Sequence, residues 1–397
     1  MFKNILYCSL LTLIFLVPLQ QDINAKAWKN TNVQVDSISL FTLKQDTNAK
    51  TWKNCKVPAD SIIIAIGRNE DVLVDSCEIF GRLRYEGDTI NGSIEVLHSV
   101  LHDPVFFEDC CFMKKVRFVA DTLMRDINFC EVIFNRDVNF SGSIFRESAS
   151  FNSSTFKEPA FFSNATFDTS IIFVQSKFLE SAWFQHTIFG GDAFFFFTYF
   201  GSWADFLGAT FKAEVGIMSV EFTNIFISWE QLKGHLSGFP SVHSQFIRKF
   251  EENRQLDDAD GVYLFLKEQE RMEKPKLQRY LEFWFIQQTC GYGIVWWRPL
   301  LTSLIVVMLF TFLYFKLVLI EKRVPLPNSG SKRFWKKLWN AFYYSINTFI
   351  VGIPANWKVE NKPKDFFAFR VLTTMERTLG WILLAVFVVT LTRKFIR

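Results

Sequence analysis

Residues 138–156 read Val138-Asn139-Phe140-Ser141-Gly142-Ser143-Ile144-Phe145-Arg146-Glu147-Ser148-Ala149-Ser150-Phe151-Asn152-Ser153-Ser154-Thr155-Phe156, and the spacing of the phenylalanines decides the fold. The steps between them alternate between five and six residues, and the grid runs far in both directions. One column is Phe107, Phe118, Phe129, Phe140, Phe151, Phe162, Phe173, Phe184, Phe195 and Phe206, closed by Ile217. The other runs Phe112, Leu123, Phe134, Phe145, Phe156, Phe167, Phe178, Phe189, Phe200, Phe211 and Phe222. The chain holds 47 phenylalanines in 397 residues, more than ordinary core packing requires, and this grid is where they go. Two places before each column member, with few exceptions, stands a small or β-branched residue, such as Val138, Ala149 and Ala160 in one set or Ser143, Ser154 and Thr187 in the other.

Residues two apart face the same way on a strand, so each small–aromatic pair is a short inward-facing strand. The Ser, Asn, Gly, Asp and Lys between pairs supply turns and a wet surface. A five-residue unit is too short for a helical repeat, so the chain turns a corner in every unit. Four corners bring it back above its start, roughly 4.8 Å higher. The expected fold is a right-handed, quadrilateral β-helix with phenylalanines stacked along its axis. In this the residues resemble the pentapeptide-repeat family, in the variant where units of five and six alternate. The resemblance is close over residues 107–222. A weaker run (Val74, Ile79, Tyr85, Ile90, Val96, Leu101) extends the coil back to about Ile62, giving a β-helix domain at residues 62–227. The core residues assigned on this basis are Phe118, Phe129, Phe140, Phe151, Phe162, Phe173, Phe184, Phe195 and Phe206.

Both ends of the chain point to a membrane. A basic start, an apolar run over residues 5–19 and Ala25-Lys26-Ala27 make residues 1–27 a signal peptide or an uncleaved anchor. Residues 28–61 form a polar leader, in which residues 21–30 recur as residues 45–54. After the β-helix, residues 228–298 read as an amphipathic helical linker. Leu277, Tyr280, Leu281, Trp284 and Phe285 lie on one face of its last part, placing it at the membrane surface beside Trp296-Trp297-Arg298.

Residues 299–397 are the membrane domain. Residues 299–320 and 366–393 are apolar over a spanning length, with basic flanks. Between them, the apolar helical stretch at residues 339–349 is too short to cross about 30 Å of hydrocarbon and must dip in and return. Outer helix, re-entrant helix, loop and inner helix follow the order of the two-helix pore domain of potassium-channel-like proteins, which this stretch resembles. The resemblance puts a pore helix and filter-like loop at residues 337–354: Ala341-Phe342-Tyr343-Tyr344-Ser345 with Thr348, then Ile350, Val351 and Gly352 where a filter T-V-G would stand. It continues Ile353-Pro354 where the family has Y-G. Proline cannot supply the positive φ and inward carbonyl that the second glycine provides, so potassium selectivity does not follow. Met375-Glu376-Arg377-Thr378-Leu379-Gly380 resembles the start of the inner helix, with Gly380 near a hinge position. The resemblance implies a homotetramer. Thr289-Cys290-Gly291-Tyr292-Gly293 is a closer literal match to a filter but lacks a spanning helix before it, and reads as a tight turn.

Lys and Arg total 44 against 40 Asp and Glu, with no basic concentration, so a nucleic-acid partner is not expected. No nucleophile, base and orienting group stand together, and the five histidines have no ligand spacing; catalytic residues, metal and cofactor are expected to be absent. The expectation is a multi-pass cell-membrane protein, in contact with lipid, that conducts cations beneath an extracytoplasmic sensing or scaffold domain. The alternative is a non-conducting surface scaffold anchored by a degenerate pore hairpin. Ten basic residues from Lys322 to Arg370, against Glu321, Glu360 and Asp365, favour a cytoplasmic loop between the spans.

Overall fold

A computed structural model describes residues 49–237, 240–317, 320–322, 330–350, 357–359 and 366–396. The signal-peptide and most of the leader assignment (residues 1–48) and the filter-like residues Val351, Gly352, Ile353 and Pro354 lie outside the described residues.

The phenylalanine grid winds into a parallel β-solenoid. One coil consists of the strands Val116–Val119, Thr122–Leu123, Ile127–Asn128 and Ile133–Phe134. The chain then arrives at Val138–Asn139, which lies in register on Val116 and Arg117. The ladders repeat this 22-residue offset, as in Phe134 on Phe112 and Phe167 on Phe145, until the last coil, where it shortens to 21 residues at Trp203 on Asn224 and Val215 on Leu236. Two faces are separate eight-stranded ladders, while the other two are joined through the long strand Tyr199–Asp205. Each sequence column therefore splits into two stacks on different faces. Phe140 stacks on Phe162 at 5.4 Å and Phe162 on Phe184 at 5.0 Å, while Phe129, Phe151 and Phe173 form a second stack at 5.4 and 5.2 Å. The rings within each stack are nearly parallel, and adjacent stacks meet edge to face, as with Phe151 and Phe162 at 82°. All nine assigned core phenylalanines are buried.

The alternation of five and six has a backbone cause. The shorter step is a four-residue turn, closed for instance by Ser154 N–H donating to the Phe151 carbonyl at 3.2 Å. Its third residue is left-handed, so positive φ recurs every eleventh residue: Ser153, Asn164, Gln175, His186 and Phe197 all lie between +55° and +59°. Asn, Ser and Gly tolerate this geometry far better than a bulky residue such as Phe197. The small residue that closes the turn points inward. Ser143, Ser176, Thr187 and Thr198 donate to carbonyls 25 residues earlier at 2.6–2.8 Å, which satisfies hydroxyls that are otherwise fully buried.

Both solenoid ends are covered. The solenoid begins with the strands Ala49–Lys53 and Lys56–Pro58, and Ile62 lies in a helix, α1 (Ala59–Gly67), that interrupts the first coil. Pro58 stops the strand, and α1 buries Ala59, Ile62, Ala65 and Ile66 against the open end. At the other end α2 (Pro240–Glu252) and α3 (Leu256–Glu273) extend the same core with Phe246, Phe250 and Val262. Side-chain amides occupy the last coil's spare carbonyls: Gln231 donates to Phe206 and Ala209, Asn253 to Ile225 and Gln255 to Ile227, at 2.7–2.9 Å.

Three further helices, α4 (Arg298–Leu317), α5 (Gly330–Ile350) and α6 (Phe366–Ile396), pack on one another in all three pairs. Two stretches, Arg298–Lys316 and Arg370–Arg393, are long and apolar enough to cross a membrane. The helix between them is longer than the apolar pattern predicts. Lys332, Arg333, Lys336 and Lys337 occupy its first turns because these residues propagate a helix well whatever their polarity. Ile320–Lys322 and Trp357–Val359 pair as a short antiparallel ladder.

Candidate functional site

Most apolar side chains of α4 and α6 have no cover from this chain. Ile305, Met308 and Phe312 on α4 and Trp381, Ile382 and Val389 on α6 are exposed. Their Thr and Ser hydroxyls are satisfied within the helix instead. Thr302, Ser303 and Thr311 on α4, and Thr374 and Thr378 on α6, donate to carbonyls four residues back. Helices built in this way suit a hydrocarbon surrounding.

The inner faces are different, because they hold a polar cluster. Glu376 on α6 is 0% exposed. Its carboxylate accepts the Tyr314 hydroxyl of α4 at 2.7 Å and the Ser345 hydroxyl of α5. Ser345 Oγ also lies 3.1 Å from the Val307 carbonyl, and the Tyr344 ring stands edge-on to Tyr314 at 5.1 Å. One residue from each helix thus meets at a single carboxyl group. An unpartnered buried carboxylate is costly, so these two hydroxyls are what make the burial of Glu376 tolerable.

One turn further along α6 is Gly380. A Cβ there would come within 2.2 Å of the Phe349 carbonyl oxygen. Gly380 therefore has a packing role: it lets the end of α5 touch α6 near the middle of the Arg370–Arg393 span. It lies within the continuous helix Phe366–Ile396. At the other end of α5, the Phe334 ring meets Phe315 at 5.2 Å, near where α4 ends. So α5 runs antiparallel to α4 and reaches mid-span at Ile350, while the Trp357–Val359 strand lies back beside the residues that follow α4. Of the sequence-assigned residues, Thr348 is buried among the three helices and Ile350 is exposed at the end of α5. Tyr314, 62 residues before Glu376, carried no signal that could have paired the two.

The linker leads into these three helices. Leu277, Tyr280, Trp284 and Phe285 are exposed along one side of residues 276–287, with Phe285 at 70%. Beneath them Lys274 bonds Glu282 at 2.6 Å and holds its carboxyl below the usual range. Glu282 in turn accepts the Tyr292 hydroxyl at 3.1 Å, and burial together with this neighbour pushes Tyr292 up to about 12. Gly291, Tyr292 and Gly293 are three successive left-handed residues, the turn that aims the chain into α4. Arg393, at the far end of α6, reaches Asp260 of α3 at 3.8 Å and lies over the Tyr263 ring at 4.9 Å. Since α3 also takes the Trp229 backbone N–H on Asp258 at 2.7 Å, one helix touches both the solenoid end and the end of α6. Among the described residues no group of His, Cys, Asp and Glu is arranged to hold a metal.

No curated protein and no solved structure matches the chain. A family model described as pentapeptide repeats (9 copies) matches residues 151–198. Those residues supply the most regular coils, and the same 22-residue register continues on both sides of them. The solenoid of this chain is therefore, over residues 151–198, a run of pentapeptide repeats.

Proposed function

We propose that this is a membrane protein whose last hundred or so residues form a two-helix, ion-channel-like pore domain, conducting cations as a homotetramer beneath an extracytoplasmic β-solenoid. The observation that carries the reading is the path around α5. This helix ends against Gly380 at mid-span, and within a few residues the chain is back beside the residues that follow α4. A chain that stops halfway through hydrocarbon and returns has to be buried in protein or line water. One copy leaves wide apolar faces of α4 and α6 uncovered, which both lipid and neighbouring copies could fill. The solenoid would position or sense a ligand, and α3 offers the route to the inner helix through Asp260, Tyr263 and Arg393.

A second reading, a non-conducting scaffold anchored by a degenerate hairpin, is favoured by one specific feature, Ile353-Pro354 in place of the filter's Y-G. Purified full-length protein reconstituted in planar bilayers under potassium and sodium gradients separates the two. Cation current from particles of tetramer mass supports the pore. Silent, well-folded tetramers support the anchor. Labelling an Asn328→Cys variant from each side of the membrane tests orientation, and inside-only labelling is the outcome expected here.

A further inference from the structure

The first two coils bring together two cysteines that the pore reading leaves unused. Cys55 and Cys77 each precede a strand, and those strands pair in register, Lys56 on Glu78 and Val57 on Ile79. Stacked equivalent residues lie roughly 4.8 Å apart. That is inside the Cα separation of about 4.4–6.8 Å that a disulfide spans. The side chains also converge, with Sγ 3.6 Å from Sγ and the Cys55 backbone N–H 3.4 Å from the Cys77 sulfur.

Their place in the fold is distinctive. The same column continues, 22 residues at a time, through Ser99, Asp121 and Ser143, where each side chain accepts a backbone N–H from the coil before it. At the start of the solenoid, where the first coil has a neighbour on one side only, the first two places of this column hold thiols. Cys55 is exposed and open to a reagent, whereas Cys77 is buried. The other solenoid cysteines have other neighbours: Cys110 faces the Tyr85 and Glu108 carbonyls, Cys111 meets Asn135, and Cys130 meets Ser150.

We infer that Cys55 and Cys77 form a disulfide that fastens the first coil to the second when the solenoid meets a disulfide donor, as it would after export. The exchange balances. The Cys55 thiolate attacks one donor sulfur and releases a donor thiolate, and the Cys77 thiolate then attacks the Cys55 sulfur and releases the second. Two electrons pass from the cysteine pair to the donor, and the pair's two protons end on the donor's thiols. Partial burial, and then the Cys77 thiol beside it, raise the Cys55 pKa, so the first step quickens as pH rises.

The test is to incubate the full-length protein in detergent with oxidised glutathione, alkylate it, and map its tryptic peptides without reductant. One species joining residues 54–56 to residues 69–82, lighter by two hydrogens than the two free peptides and split by reductant, is expected. Products through Cys110, Cys111 or Cys130, or glutathione left on Cys55 with Cys77 still alkylatable, would overturn the pairing. The pairing stands on its own geometry, while its presence in the cell rests on the export reading. Acid-trapped protein from cells separates them: a linked pair supports export, and free thiols in a protein that links readily in vitro overturn export alone.

Discussion

The Tyr314 hydroxyl donates to the buried Glu376 carboxylate at 2.7 Å, joining the last turn of α4 to the first half of α6 at a point where both side chains are buried. The Ser345 hydroxyl of α5 completes the junction. Whatever α4, α5 and α6 do together depends on whether they hold this arrangement.

Glu376→Ala takes away the carboxylate that accepts both hydroxyls, leaving Ser345 the Val307 carbonyl, and is expected to destabilise the helix packing by about 1–3 kcal/mol. Tyr314→Phe removes one bond and should cost less, about 0.6–1.7 kcal/mol. Thermal midpoints of the purified protein in detergent check the order. Equal midpoints for Glu376→Ala and wild type would mean that the cluster is not formed.

Gly380→Ala should cost about 1–3 kcal/mol by overpacking, because the new methyl meets backbone, which cannot rotate away. A hinge glycine would show a different pattern, with alanine tolerated in the folded protein and only conformational exchange lost. Hydrogen exchange over residues 341–350 distinguishes them, with faster exchange expected for the alanine variant.

Inside the solenoid, Phe162→Ala removes a ring packed on Phe140 and Phe184 and should cost about 3–5 kcal/mol locally. Phe197, two residues after the buried Phe195, should behave oppositely. It is 51% exposed and sits at φ +57°, so Phe197→Gly is expected to stabilise its coil by up to about 1 kcal/mol. Exchange protection of residues 151–206 in the full-length protein reads both variants.

Asp121 supplies the pH dependence. Burial, and more weakly the Asp75 charge, push its carboxyl up to about 8 despite the Ser99 N–H at 2.6 Å. The folded-state value is raised above the ordinary one, so the folded protein holds this proton where the unfolded chain has lost it. Its stabilising contribution is therefore complete below about pH 4 and declines as pH rises toward 8. Asp121→Asn, which cannot ionise, should flatten the fall in coil protection between pH 5 and 8 and be the more protected protein at pH 8. A wild-type profile equally flat over that range would count against a protonated Asp121.

The solenoid was legible because period-two pairs on an 11-residue grid leave the chain few ways to hide its rings, and Phe140 or Phe151 could be assigned as core without any neighbour known. What the grid does not reveal is which residues stack, since that depends on a full circuit. Ser99, Asp121 and Ser143 look unrelated in the sequence and form one column in space. The two helices long and apolar enough to cross a membrane were legible from composition. The Tyr314–Glu376 contact was not, since helices separated by 62 residues leave no periodic trace of the partner they choose. The sequence marks Gly380 as near a hinge position, and the close approach of the Phe349 carbonyl to it could not be read there. Basic residues such as Lys336 and Lys337 hid the early start of α5, because polarity marks an end to burial and not an end to helix.

Axial neighbours in this solenoid are always one lap apart, which makes the lap the natural currency of change. Duplicating or excising 22 residues would lengthen or shorten the tower by a storey of roughly 4.8 Å and leave its cross-section alone. Gain or loss of half that number would carry every later ring to the opposite wall, while the left-handed corners, which recur every eleven residues, would stay in line. Such a tower can be tuned in reach independently of whatever stands at its foot.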